Sequence, residues 1–451
     1  MPAGDRPRFL ERLGLHRPEL RAWALYDWAN SAAVTTVVTA VFPVYFATVA
    51  AADLPPPVAT ARFAAATTVG LVAVAALAPL LGTLADVGAW KKRFLLGFLL
   101  LGAGASAGLF AVGRGDWELG ALLFVFVNVG LNGSFVFYDS LLPHVARGEE
   151  LDRVSTAGYA LGYVGGGLLL ALNLLAIQRP GWLGLPSGPG LSPSAVTLPA
   201  RLSFLSVAAW WVLFSLPLLR RVPEPAVAPR PPGGPGAARL AGRRLLATFR
   251  ALRAHRQALL MMAAFLVYND GIGTIIRMAT IYGTEVGIGR GSLIAAVLLV
   301  QFIGIPCAFA FGALAGRIGA KRAILLGLAV YGVATVFGYF MRSAADFFLL
   351  AAMVGLVQGG TQALSRSLFA SLIPRQQSGE FFGFFSVMDK VAGIFGPLVF
   401  AAASSATGSS RAAILSVIGF FAVGALLLTL VDVEGGQRVA REAERAAPEP
   451  G

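Results

Sequence analysis

The chain has 451 residues, of which 57% are hydrophobic and 13% charged, with a mean hydropathy of +0.73. No water-soluble domain of this length buries so much apolar surface, so lipid is the expected solvent for most of it. A formal charge of +13 and a pI near 10.5 would suggest nucleic acid in a soluble protein. Here the basic residues fall between apolar runs, so a membrane surface accounts for them and no nucleic-acid partner is implied.

Residues 1–21 form a short tail carrying Arg6, Arg8, Arg12, Arg17 and Arg21. Its polarity, and the length of the apolar run behind it, argue against a cleavable leader. Apolar runs follow near 22–50, 63–84, 93–113, 118–141, 154–177 and 201–219. After a polar linker, 220–256, six more lie near 257–284, 291–315, 322–341, 346–370, 381–403 and 411–432, ahead of a tail at 434–451. Each is long enough to cross a ~30 Å hydrocarbon core as a helix. The expected fold is all-α, an integral membrane protein of twelve spans in two six-helix bundles, 22–219 and 257–433.

Basic residues set the orientation. With both termini and the linker in the cytoplasm, about 26 Lys and Arg lie inside, about 7 outside and 3 within spans. The protein is therefore expected to be multi-pass in the plasma membrane, the inner membrane of a bacterium. The linker, with Pro223, Pro225, Pro229, Pro231, Pro232 and Pro235, reads as a flexible tether. Its end, from Arg239 to Arg256, reads as a basic amphipathic helix on the membrane surface. The Gly/Pro/Ser-rich stretch from Arg179 to Pro199 reads as irregular.

One tight turn occurs twice. Gly82-Thr83-Leu84-Ala85-Asp86 leads to Lys91-Lys92-Arg93, and Gly312-Ala313-Leu314-Ala315-Gly316-Arg317 leads to Lys321-Arg322. The copies stand 230 residues apart, each between apolar runs, so the halves are built alike. This resembles the loop between helices 2 and 3 of the major facilitator superfamily, with Gly316 replacing the acid in the second copy. The resemblance implies a cytoplasmic gate of Gly82, Asp86, Lys91, Lys92, Gly312, Arg317, Lys321 and Arg322, the basic residues lying on the inner surface. Asp86 is expected to cap or pair across the halves rather than to touch substrate.

Three further stretches resemble the vacuole-effluxer branch of that superfamily. They are Tyr26-Asp27-Trp28-Ala29-Asn30-Ser31, Pro374 to Phe384, and Gly393-Ile394-Phe395-Gly396-Pro397. Fungal members of the branch are described as autophagy-related vacuolar amino-acid effluxers, so the resemblance implies a small zwitterionic substrate.

A charge in hydrocarbon costs at least ~2.5 kcal/mol, so intramembrane polar groups are expected to face a cavity or a partner. Asp27, Ser31, Thr35 and Thr39 follow one face of the first span, with Asn30 beside it. Asn128, Asn132, Phe135 and Asp139 share a face of the fourth, echoed in the tenth by Gln358, Gln362 and Arg366. The seventh carries Asp270 and Arg277 with Gly271 and Gly273 between, an expected helix break whose acid and base suit the two ends of a zwitterion. The eleventh adds Asp389 and Lys390, whose adjacency points them at separate neighbours. Blander roles remain open: helix-to-helix bonding for the amides, a gate or interhelical bond for Asp27 and Asp139, a structural pair for Asp270 with Asp389 or Lys390, snorkelling for Arg366.

Enzyme signatures do not fit. Gly104-Ala105-Ser106-Ala107-Gly108 lies inside a span, and His16, His144 and His255 fall in cytoplasmic segments away from Cys307, so no catalytic triad and no metal site is expected. No phosphate-binding loop is present, and no cofactor is implied. The expected function is secondary active transport by alternating access of a monomer, driven by protons carried on Asp27, Asp139 or Asp270. An exporter of hydrophobic drugs or lipids and a sugar carrier are the rivals within transport, and a non-transporting sensor or scaffold the rival outside it.

Overall fold

The computed structural model describes residues 9–148, 150–188, 190–227, 255–393 and 395–446. Twelve helices among them are long and apolar enough to span a membrane. The first six are α1 (Pro18–Ala50), α2 (Pro56–Gly88), α3 (Lys91–Ala111), α4 (Trp117–Val145), α5 (Glu150–Gln178) and α6 (Pro193–Arg221). The second six are α7 (Arg256–Glu285), α8 (Arg290–Ile318), α9 (Ala320–Phe340), α10 (Ala344–Ser371), α11 (Arg375–Thr407) and α12 (Arg411–Thr429). A last helix, α13 (Val433–Ala446), lies outside the spans. Linker residues 228–254, including the segment read as an amphipathic helix, lie outside the described residues.

Several boundaries differ from the sequence reading, each for a local reason. The stretch read as irregular after Arg179 becomes helical at Pro193, because Pro suits a first turn and the Ser192 hydroxyl accepts the N–H of Ala195 at 3.3 Å. The glycines after Asp270 do not break α7, which runs from Arg256 to Glu285. The interruption is in α11, which stops at Val391 and resumes at Phe395. Lys91 is not a loop residue but the first of α3, with a side chain only 3% exposed.

Within the first half α1 packs on α5 and α6, α3 on α4 and α6, and α2 on α4. Within the second, α8 and α9 pack on α10, and α7 and α9 on α12. The halves meet along two seams, α2 against the first segment of α11 and α5 against α8 and α10. Both seams depend on missing side chains at the repeated motif. A Cβ on Gly82 would lie 2.1 Å from the carbonyl oxygen of Gly379, and one on Gly312 would lie 2.2 Å from Thr156 Oγ1. The motif glycines of the two copies therefore bring the halves together at the end of the bundle where α1 begins and α12 ends, called the basic end below.

Gly82→Ala is expected to lower the melting temperature in detergent, by the ~1–3 kcal/mol typical of overpacking. Gly97→Ala, at a site where an added Cβ meets nothing within 4 Å, should leave it unchanged. Equal melting temperatures for the two variants would contradict the close approach.

Candidate functional site

The most charged buried site joins the halves near the basic end. Arg366 comes from α10 and is 4% exposed. Its Nη1 donates to Asp139 Oδ1 at 3.0 Å and, at 3.4 Å, to Asp27 Oδ2; its Nη2 reaches the same Asp27 oxygen at 3.3 Å. Nε donates to Ser155 Oγ at 2.9 Å and Nη2 to the Ser155 carbonyl at 3.0 Å. The guanidinium carbon lies 4.8 Å from the Trp23 ring centroid, 5.4 Å from Tyr138 and 4.8 Å from Tyr159. Planar nitrogens in a fork suit this mixture of carboxylate and ring face.

The local folding of the first half builds the cage. Trp23 and Asp27 stand one turn apart on α1, and Tyr138 and Asp139 are neighbours on α4. Trp23 stacks on Tyr138 with centroids 4.3 Å apart and donates its indole N–H to the Tyr138 carbonyl at 3.0 Å. Tyr138 in turn donates its hydroxyl to Asp27 Oδ2 at 2.9 Å. A Cβ on Gly158 of α5 would sit 2.6 Å from that carboxylate oxygen, so only glycine lets α5 pass. Arg366 is thus an interhelical anchor, not a side chain reaching for the membrane surface.

A second lock sits at the repeated motif. The Asp86 carboxylate pairs with Lys91 Nζ at 2.7 Å and accepts the main-chain N–H of Gly379 at 3.0 Å and Glu380 at 2.8 Å. It therefore caps, from the first half, the α11 segment Ser378–Val391 of the second. Lys91 Nζ also lies 3.2 Å from His144 Nε2, which is 3.1 Å from Ser378 Oγ. Glu224, beyond α6, caps α3 by accepting the N–H groups of Lys91 at 2.7 Å and Lys92 at 2.9 Å. Burial raises the Glu224 carboxyl above its ordinary value, against the pull of those N–H groups. The second copy is wired differently: Lys321 donates to the carbonyls of Thr429 and Val431, both at 2.8 Å, and so fastens α12 within its own half. Arg317 and Arg322 are exposed.

Asp270 and Arg277 do not stand as a bare acid and base. Asp270 Oδ2 accepts the N–H of Gly396 at 2.9 Å, and Arg277 Nη1 donates to the Gly393 carbonyl at 2.7 Å. They clamp the two sides of the α11 interruption, which is what the Gly-rich stretch at 393–397 accommodates. Asp389 and Lys390 are not separated either: Lys390 Nζ lies 2.6 Å from Asp389 Oδ2, and Asn269 donates to Asp389 Oδ1 at 3.0 Å. Asp389 keeps 35% of its side chain exposed, and it lies within electrostatic reach of Asp139.

The amide stripe divides. Asn128 is buried and donates to the Phe124 carbonyl at 2.9 Å, and Asn132 donates to that of Asn128 at the same distance. Asn30 is buried and donates to Ser134 Oγ at 3.3 Å. Gln358 and Gln362 are half-buried and bond to no described protein group. On α1 the hydroxyl stripe mostly serves packing, with Thr35 donating to the Gly166 carbonyl of α5 at 3.1 Å and Thr39 to its own helix.

The sequence profile described as vacuole effluxer Atg22 like matches residues 57–441. The chain belongs to that family. The uncharacterized MFS-type transporter YxiO of Bacillus subtilis is 35% identical over 422 residues, spanning 93% of this chain and 96% of its own. Autophagy-related protein 22 of Coccidioides immitis is 24% identical over 450 residues, spanning 80% of this chain and 70% of its own. Among solved structures, the human organic anion transporter MFSD10 aligns with a TM-score of 0.67 at 14% identity, over 91% of this chain and 99% of that one. FucP in the outward conformation also gives 0.67 at 14%, over 93% and 99%. Those structures establish the fold, and the relatives make this Atg22-like chain a multi-pass transporter of the major facilitator superfamily.

Sequence reasoning missed the partners of Arg366. Trp23, Tyr138, Tyr159 and Ser155 carry no charge and look like ordinary span residues; only the charge count inside the spans hints that one cation must meet several acids. Glu224 had a clearer signal, being a lone acid just past Arg220-Arg221. Asp270→Ala, which removes the acceptor for the α11 segment, is expected to cost about 1–3 kcal/mol of stability in thermal melts, with Asp270→Asn recovering part of it. Unchanged melting in Asp270→Ala would remove its anchoring role.

Proposed function

We propose that this transporter is proton-coupled and carries an amino acid or similar small zwitterion by alternating access. The observation that carries the reading is the charge balance across the seam. Two carboxylates of the first half, Asp27 and Asp139, meet one guanidinium of the second, Arg366, in a buried site. That leaves a net charge of −1 where water is scarce, and one proton on the pair balances it. Asp139, 18% exposed against 6% for Asp27, is the carboxylate that exchanges it. Asp270, whose Oδ2 caps the second segment of α11, is not given that role in this reading.

The Asp86 cap and the Arg366 lock act as one gate, made when the basic end closes and broken when the halves rock apart. Asn132, Gln358, Gln362, Asp389 and Lys390 are half-buried polar groups along the spans. Lys390 beside Asp389 offers a carboxylate its partner and the acids of the seam offer one to an ammonium, which favours a zwitterion over a hydrophobic drug. The likeness to the fungal autophagy-related relatives, described as vacuolar amino-acid effluxers, favours the same substrate class. In this reading the basic end faces the cytoplasm of a bacterial cell, the surrounding partner is membrane lipid, and the chain works as a monomer.

The test is reconstitution in sealed vesicles under an imposed proton gradient with a panel of radiolabelled amino acids. Accumulation that an uncoupler collapses is expected in the unmodified chain. Asp139→Asn should lose accumulation while keeping substrate exchange. Continued gradient-driven accumulation by Asp139→Asn would overturn the assignment of the proton.

A further inference from the structure

The cage around Arg366 is assembled unevenly. Trp23, Asp27, Tyr138, Asp139, Ser155 and Tyr159 all belong to the first half, and only the guanidinium enters from the second. Any rocking motion that parts the halves at the basic end must therefore withdraw the cation and leave its box behind. The box is held together without it: Trp23 stays stacked on and bonded to Tyr138, and Tyr138 stays bonded to Asp27. What remains is three aromatic faces around two carboxylates, an arrangement that attracts a cation through ring quadrupoles and Coulomb forces together.

We propose that this vacated box is a binding subsite for an organic cation, the ammonium or guanidinium group of a small solute, reached from the basic end. Arg366 is its tethered occupant in the closed state, so closing the halves expels the solute's cationic group and opening them readmits it. The inference rests on the alternating-access reading above and deepens it by giving the solute's positive end a place. Size discriminates as well as charge. The guanidinium carbon sits 4.8–5.4 Å from three ring centroids, room for a planar or small tetrahedral cation. A carboxylate of equal size would meet two like charges and the negative faces of the rings. Ser155, whose hydroxyl and carbonyl both accept from Arg366, adds directional acceptors that favour a group with several N–H donors over a quaternary ammonium.

The experiment empties the box by substitution and refills it from solution. Purified Arg366→Ala is melted with millimolar ethylguanidinium, with ethylammonium, and with sodium at equal ionic strength. The two organic cations should raise its melting temperature by a few degrees over sodium, ethylguanidinium more, and the gain should vanish in Arg366→Ala carrying Asp27→Asn and Asp139→Asn. Equal melting in all three salts would overturn the proposal. Arg366→Gln serves if the alanine variant does not fold. The unmodified chain gives an independent reading: a diazirine-bearing alkylguanidinium should label Trp23, Tyr138 or Tyr159, and a diazirine carboxylate of the same length should not. Labelling confined to other residues, or equal labelling by both probes, would refute the site. None of these readouts needs transport, so failure to find a transported amino acid would sink the substrate reading alone.

Discussion

One guanidinium, buried and shared between two separately built halves, constrains the molecule more than any other group. Breaking a buried ion pair by removing one partner costs about 3–5 kcal/mol, because the charge left behind has lost water and gained nothing. Arg366 can therefore stay in its cage only while at least one of Asp27 and Asp139 supplies countercharge, and it can leave only where water awaits it. The end of the bundle where it sits must accordingly be either tightly shut or open to solvent. A two-state site of this kind is what alternating access requires.

The second lock reinforces the first without repeating its chemistry. Asp86 grips main-chain N–H groups at the start of an α11 segment, and Lys91 neutralises it from the same half. Lys91 is in turn fixed by Glu224 through its main chain. Closure at the motif thus relies on a helix cap, while closure at Arg366 relies on charge pairing. The two rest on different interactions, so a perturbation can weaken one and leave the other intact.

Much of the fold was legible in the sequence because its cause is local. Span length, the 230-residue repeat and the excess of basic residues follow from hydropathy and spacing alone. The two motif glycines were recognisable by their repeated position, though not the close approach to Gly379 and Thr156. The site was less legible because long-range pairing decides it. Asp27 and Asp139 stood out as charged, but nothing in the order of residues says that both meet Arg366. Asp270 and Arg277 looked like a zwitterion site because an acid and a base share one face of the span, with glycines between them that suggested a helix break. The structure gives both side chains to the backbone of a different helix, whose interruption absorbs them. Lys321 repeats Lys91 by position but not by contact, since symmetry of sequence survives changes of partner.

The most direct test of the account is a spin-label distance across the basic end, between exposed Arg147 beyond α4 and Arg317 at the end of α8, each replaced by cysteine. If Arg366 holds the halves through its two carboxylates, the parent and Asp139→Asn should share a short distance, since one carboxylate still balances the arginine. Asp27→Asn with Asp139→Asn leaves the guanidinium uncompensated, and a longer distance should dominate. The same short distance in the double variant would contradict the claim that this charge pairing closes the transporter.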